Sequence, residues 1–178
     1  MTIEGPQGQS FQIRGFLRSP DSTFTAFDAP AAPVGTDPCC ISPSGTIAGL
    51  SSEYDNTSGN YISHGFLRGA DGTLTAFDFP IAGVNTGVTS MNPQGAVLGS
   101  YNAGNQSHPY WGLRPHDTHG YVRAPDSTFT TCDAPGVNTT YRGYLVTAPT
   151  SINLADAVTG WYYSDANCVQ HGFLRRGV

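Results

Sequence analysis

A block of residues that returns three times narrows the possible folds of this chain more than any other feature. It reads Gly15-Phe16-Leu17-Arg18, then Pro20-Asp21-Ser22-Thr23-Phe24-Thr25-Ala26-Phe27-Asp28-Ala29-Pro30. It comes back as His64-Gly65-Phe66-Leu67-Arg68 with Asp71-Gly72-Thr73-Leu74-Thr75-Ala76-Phe77-Asp78-Phe79-Pro80. The third copy is His119-Gly120-Tyr121-Val122-Arg123 with Pro125-Asp126-Ser127-Thr128-Phe129-Thr130-Thr131-Cys132-Asp133-Ala134-Pro135, and His171-Gly172-Phe173-Leu174-Arg175 opens a fourth. A second block alternates with the first: Ile41-Ser42-Pro43-Ser44-Gly45-Thr46-Ile47-Ala48-Gly49, Met91-Asn92-Pro93-Gln94-Gly95-Ala96-Val97-Leu98-Gly99, and Ile152-Asn153-Leu154-Ala155-Asp156-Ala157-Val158-Thr159-Gly160, whose third copy has lost both the proline and the turn glycine. Thr2-Ile3-Glu4-Gly5 fits the tail of this block. A period of about fifty residues marks a repeat architecture.

Each block reads as a hairpin, because Asp-Gly, Pro-Asp-Ser and Asn-Pro-Gln-Gly between apolar runs are tight-turn signals. Two hairpins per repeat predict an all-β fold of tandem four-stranded antiparallel meanders. Apolar groups on both faces (Phe66 one way, Leu67 the other) predict sheets covered on both sides. Stacked four-stranded sheets around an axis are propeller-like. The 178 residues thus read as one repeat domain with units at 14–63, 64–118 and 119–170, and partial units at 1–13 and 171–178. Composition agrees: 22 glycines, 13 prolines and only 12% charged residues suit short strands and turns rather than helices. Three full repeats fall short of the roughly four to eight blades of a closed ring. The open alternatives are a fragment, an open stack, closure of the chain's own terminal strands, or a homo-oligomer completing a ring.

The combination of His-Gly-Phe-Leu-Arg, a threonine-rich second strand, Asn-Pro-x-Gly and a closing glycine resembles the HAF family of bacterial extracellular repeats. That resemblance spans nearly the whole chain through short motifs. Arg14 in place of the leading histidine and Leu154-Ala155-Asp156 at the third turn depart from it. It implies an extracellular or cell-surface bacterial repeat protein and brings no catalytic residues with it.

Several function classes fall away. A net charge of −5 with eight Lys and Arg offers no cationic patch for nucleic acid or an anionic membrane. No apolar stretch reaches the ~20 residues of a membrane span, and Met1 to Pro6 carry no signal-peptide pattern. Cys39, Cys40, Cys132 and Cys168 show no zinc spacing; they read as buried thiols or as one bridge between loops. Nucleophile-elbow, phosphate-loop and H-E-x-x-H motifs are absent, so a non-enzymatic module without a cofactor is the preferred expectation.

Variation concentrates in the connections between hairpins. The stretch from Gly99 to Gly120 is far longer than that from Gly5 to Gly15, and Pro135 to Leu154 outruns Pro30 to Pro43. A meander places both kinds of connection at one end, where binding surfaces usually sit. The candidate site is therefore Tyr110, Trp111, His116 and Asp117 of one insertion with Tyr141 and Tyr144 of the other, facing a protein or glycan partner. The competing reading buries those rings between sheets. His108, His116, Asp117 and His119 are weighed as metal ligands and read as an accidental cluster. Asp55-Asn56-Thr57-Ser58-Gly59-Asn60 reads as a plain turn, since it lacks the distal glutamate of a calcium loop. Asp28, Asp78 and Asp133 are expected to cap turns or to pair with Arg18, Arg68, Arg123 and Arg175 across strands. A carbohydrate-binding propeller using Tyr110, Trp111 and Trp161, and a hydrolase with carboxylates gathered at a ring centre, stay open as alternatives.

Overall fold

The computed structural model describes residues 3–4, 10–11, 13–30, 32–57, 59–81, 85–102, 118–134, 146–163 and 169–177. Within them the chain is all-β, in several small antiparallel sheets. Short β1 (Ile3–Glu4) and β2 (Ser10–Phe11) pair with each other, as do β3 (Gly15–Arg18) and β4 (Phe24–Phe27). Next comes a four-stranded meander of β5 (Gly35–Ile41), β6 (Ile47–Asp55), β7 (Asn60–Arg68) and β8 (Leu74–Phe77). A second is built from β9 (Asn85–Met91), β10 (Val97–Asn102), β11 (Thr118–Arg123) and β12 (Phe129–Thr131). The last sheet contains β13 (Thr147–Ile152), β14 (Val158–Tyr163) and β15 (Gln170–Arg175). Among the described residues the sheets form neither a closed barrel nor a closed ring.

The sheets are out of phase with the sequence units. Each meander starts with the hairpin of the second block and ends with the hairpin of the first, so the chain crosses to the next sheet after the Asp-x-Pro segment. A further difference concerns the first residues. Ile3 pairs with Phe11 and Glu4 with Ser10, the register that Tyr54 and Asp55 hold against Tyr61 and Asn60. Ile3–Glu4 therefore matches the far end of β6, not its Ile47-Ala48-Gly49 start.

Both hairpin turns have a physical basis in the sequence. Backbone bonds Ser22 N to Ser19 O, Gly72 N to Gly69 O and Ser127 N to Ala124 O close the first kind; Gly45 N to Ser42 O, Gly95 N to Asn92 O and Asp156 N to Asn153 O close the second. The closing residue is left-handed each time, with φ of 69°, 89° and 74° at Ser22, Gly72 and Ser127, and 84°, 90° and 53° at Gly45, Gly95 and Asp156. This conformation favours glycine. Serine stands in where its hydroxyl takes a hydrogen bond from an arginine: Arg18 to Ser22 and Arg123 to Ser127, both 2.7 Å. In the first strand of each of the three larger sheets, one residue bulges at the same register: Cys39, Thr89 and Thr150.

Packing between sheets forms the core. Phe27, Ala29 and Ala32 bury against Ile47 and Phe66 of the next sheet. Ala48 meets Val88 and Val97, Phe77 packs beside Tyr101 and Tyr121, and Leu98, Val122 and Cys132 meet Ile152 and Val158. The closing glycine of the second block is dictated here: a Cβ at Gly99 would strike the Gly87 carbonyl and the Tyr121 ring. Arginines cross the same junctions. Arg68 lies 5.2 Å from the centre of Phe27 and Arg123 lies 4.8 Å from that of Phe77, within cation–π range. Cys132 replaces the aromatic in the third copy, and Arg175 there donates to the Thr131 carbonyl at 2.8 Å. The expected Asp–Arg pairing across strands is thus not what forms. Strand register explains it, because Arg18 stands opposite Phe24 at the turn end while Asp28 follows Phe27, which stands opposite Gly15 at the other end.

Candidate functional site at the long-loop end

The aspartate of each repeat finds its partner fourteen residues earlier, at the position before the strand glycine. Arg14 grips Asp28 with two 2.8 Å bonds. His64 Nδ1 lies 2.7 Å from Asp78, and His119 Nδ1 lies 2.8 Å from Asp133, whose other oxygen accepts the Gly120 amide at 3.0 Å. Arg14 and His64 are interchangeable here because either presents a donor to a carboxylate at that height. Hydrogen bonding to Arg14 holds the Asp28 carboxyl below its ordinary range. A buried threonine completes the arrangement: Thr36, Thr86 and Thr147 accept the backbone N–H of Ala29, Phe79 and Ala134 through their hydroxyls. These clasps fix the end of each sheet from which the long connections spring.

At that end β6 and β7 are joined by a tight turn, in which Asp55 Oδ1 accepts the Thr57 amide at 2.8 Å. The corresponding connection between β10 and β11 is the insertion 103–117, and the crossing from β12 to β13 contains the second insertion. Their roots converge. Asn102 pairs with Thr118 at the last register position of β10 and β11, and Thr118 forms a parallel bridge to Val146. The same junction occurs earlier as Ile13 to Gly35, and in the middle copy Asn85 Oδ1 accepts the Ser63 amide at 2.8 Å. Beneath the converging roots lie Phe79 and Tyr101, ring centres 3.7 Å apart and nearly parallel, with His119 stacked on Tyr101 at 5.1 Å. Burial, and secondarily the charge of Asp133, raises the Tyr101 phenol above its ordinary value.

Tyr110, Trp111, His116, Asp117, Tyr141 and Tyr144 lie outside the described residues, as does His108. Trp161 is described: it is half-buried on β14 and meets Tyr163 edge to face at 5.5 Å. Sequence reasoning missed the histidine–aspartate clasp and the buried threonines. The constant spacing of the former was a usable signal; a threonine in a strand is too common to be one.

The clasp around His64 deserves a catalytic test. Ser51 stands opposite His64 on the same sheet face, and Asp78 holds the imidazole, so serine, histidine and aspartate share one corner. Nucleophilic catalysis needs a serine–histidine hydrogen bond and a route to the serine. Ser51 is 0% exposed, and neither its Oγ nor His64 Nε2 has a hydrogen-bond partner. Glu53 Oε1 lies 3.5 Å from that nitrogen. The corner is packed as structure. In the other copies the serine position carries Tyr101 and Tyr162, against His119 and His171.

Cys39, Cys40 and Cys132 are free thiols; Cys168 lies outside the described residues. Cys39 and Cys40 share a hydrogen bond that lowers the Cys40 thiol's pKa and raises that of Cys39. Among the described residues no three His, Cys, Asp or Glu side chains gather as metal ligands, and no helix is long and apolar enough to cross a membrane. Comparison with protein-family models, curated proteins and solved structures gives no match.

Proposed function

We propose that this chain is a non-enzymatic extracellular repeat module that binds a macromolecular partner through its long-loop end. Its sheets are read as successive blades of a propeller-like stack. The observation that carries this reading is the convergence of two otherwise separate insertions, whose roots meet at Thr118 through Asn102 and Val146. Opposite them the turns are short and nearly invariant, which is the usual division between scaffold and working surface. Inter-sheet packing of equivalent positions supports the blade reading. The extracellular assignment rests on the HAF-type motifs alone.

The test shortens the 103–117 connection to the tight turn that joins β6 to β7. The clasp of His119 with Asp133 lies outside the excised segment, so the fold is retained. Wild type and shortened chain are then screened on a glycan array and against a displayed random-peptide library. Peptide binders selective for the intact loop support the module. Loop-dependent glycan hits favour the carbohydrate-binding alternative, for which Trp111 and Trp161 are the first residues to replace. Loop-independent binding in both screens, or none, removes the reading.

A further inference from the structure

The residue after the strand glycine faces the preceding sheet at Phe66, Tyr121 and Phe173, and Phe16 holds the same register position. Phe24, Leu74 and Phe129 share that face. At internal junctions these positions are covered: Phe66 and Tyr121 are 0% exposed, Phe66 meeting Phe27 and Tyr121 packing beside Phe77. On the β3–β4 sheet the same face is bare. Phe16 is 62% exposed and Phe24 63%, their ring centres 5.8 Å apart.

The opposite face shows the same relation on the β13–β15 sheet. Leu67 and Val122 pack on the following sheet, whereas Leu174 at their position is 57% exposed. Leu174 is paired with Thr159, and Trp161 and Tyr163 alternate with Thr159 along β14, so all of them share this outer face. The β3–β4 sheet thus bares two phenylalanines, and the β13–β15 sheet bares a leucine beside a half-buried indole and phenol.

We propose that these two faces dock on one another between two copies of this chain, head to tail, with Leu174, Trp161 and Tyr163 of one copy against Phe16 and Phe24 of the next. At each internal junction the occupant of the aromatic face is another sheet of the same repeat. A second copy supplies such a sheet, and its outer face is uncovered as well. A heterologous contact of this kind closes into a ring or extends, according to the rotation between copies. The inference concerns the sheet faces and is independent of what the long loops bind.

Sedimentation velocity of the 178-residue chain, over about a hundredfold range of concentration, tests it. The expected mass exceeds the 18.8 kDa of one chain and rises with concentration. The double variant Phe16→Ser/Phe24→Ser and the single variant Leu174→Asp are each expected at 18.8 kDa with unchanged circular dichroism. Mixed in equal amounts, the two variants should re-form a complex that stops at two chains. The first keeps its leucine face and the second its phenylalanine face, leaving one intact junction. A wild type that is monomeric throughout, association that survives either variant, or a mixture that stays monomeric overturns the proposal. A double variant that fails to fold overturns it too, since its rings would then be covered within one chain.

Discussion

Asn92 is a buried side chain that ties two sheets together, and its removal gives a demanding test of the packing. The residue is 1% exposed. Its Oδ1 accepts the amides of Gln94 and Ala96 at 3.1 and 2.9 Å, which fixes its own turn. Its Nδ2 donates to Asp156 Oδ1 at 2.6 Å and to the Asn153 carbonyl at 3.3 Å, both in the turn of the next sheet. Asn92→Ala strands the buried Ala96 amide, at about 1–3 kcal/mol, and loses the screened bond to Asp156, worth about 1 kcal/mol, while the freed groups of exposed Gln94 and Asn153 turn to water. A loss of about 2–4 kcal/mol is expected, or a melting temperature lower by roughly 5–15 °C for a domain of this size.

The partner explains why the third turn lost its glycine. Asp156 occupies the left-handed position at φ 53°, where a glycine would avoid a cost of about 1 kcal/mol. It returns a charge-assisted bond to Asn92 worth about 1.5–3 kcal/mol before screening of its half-exposed carboxylate. Asp156→Gly should therefore destabilise by about 0.5–2 kcal/mol despite relieving the backbone. Urea denaturation of the two single variants and the double gives the coupling directly, and about 1 kcal/mol or more is expected. A coupling below about 0.5 kcal/mol, within the additivity of independent sites, would show that the turns do not communicate.

Tyr121 differs from Phe66 by a hydroxyl that donates to the Gly87 carbonyl at 2.9 Å, so Tyr121→Phe should cost about 0.5–1.5 kcal/mol and Tyr121→Ala about 3–5 kcal/mol in the same denaturation assay. Burial pushes the Cys132 thiol up to about 12, so iodoacetamide at about pH 8 should leave it unlabelled in the native chain and label it after unfolding, as read by peptide mass mapping. Asp21 and Asp71 accept threonine amides in their turns, Asp126 accepts first the Thr128 hydroxyl and then its amide, and Asp28 pairs with Arg14, which holds all four carboxyls below their ordinary range. Their contribution is present above the unfolded carboxyl value and is lost as pH falls through the depressed folded values, so the melting temperature should drop between about pH 5 and pH 2, and less so in an Asp28→Asn variant. A flat acid profile would contradict these four interactions.

The hairpins were legible because the left-handed closing positions leave a written trace: Gly45, Gly72 and Gly95, and serine or aspartate in Pro-Asp-Ser and Leu-Ala-Asp. Phase was not. Each repeat has two connections at the same end, one staying within a sheet and one crossing to the next, and at similar lengths spacing does not separate them. Only packing does, through Phe27 against Phe66 and Ala48 against Val97. The clasp of Arg14 with Asp28 was misassigned because Arg18 is closer along the chain, and strand register, not sequence distance, decides which cation stands beside a carboxylate. Of the candidate site, the sequence located the two insertions, and the structure brings their roots together at Thr118. Tyr110, Trp111, His116, Asp117, Tyr141 and Tyr144 themselves lie outside the described residues.

The clasp between His119 and Asp133 holds the short segment that runs from one insertion to the other. Because Thr118 is already pinned to both Asn102 and Val146, any loop hung there begins and ends at points that are close before the loop is ordered. The entropy of closing such a loop grows only with the logarithm of its length, about 0.6 kcal/mol for each doubling. A repeat fastened in this way can exchange one loop for a longer or shorter one at nearly constant stability, so its inserts are free to diversify while the strands below them keep one sequence.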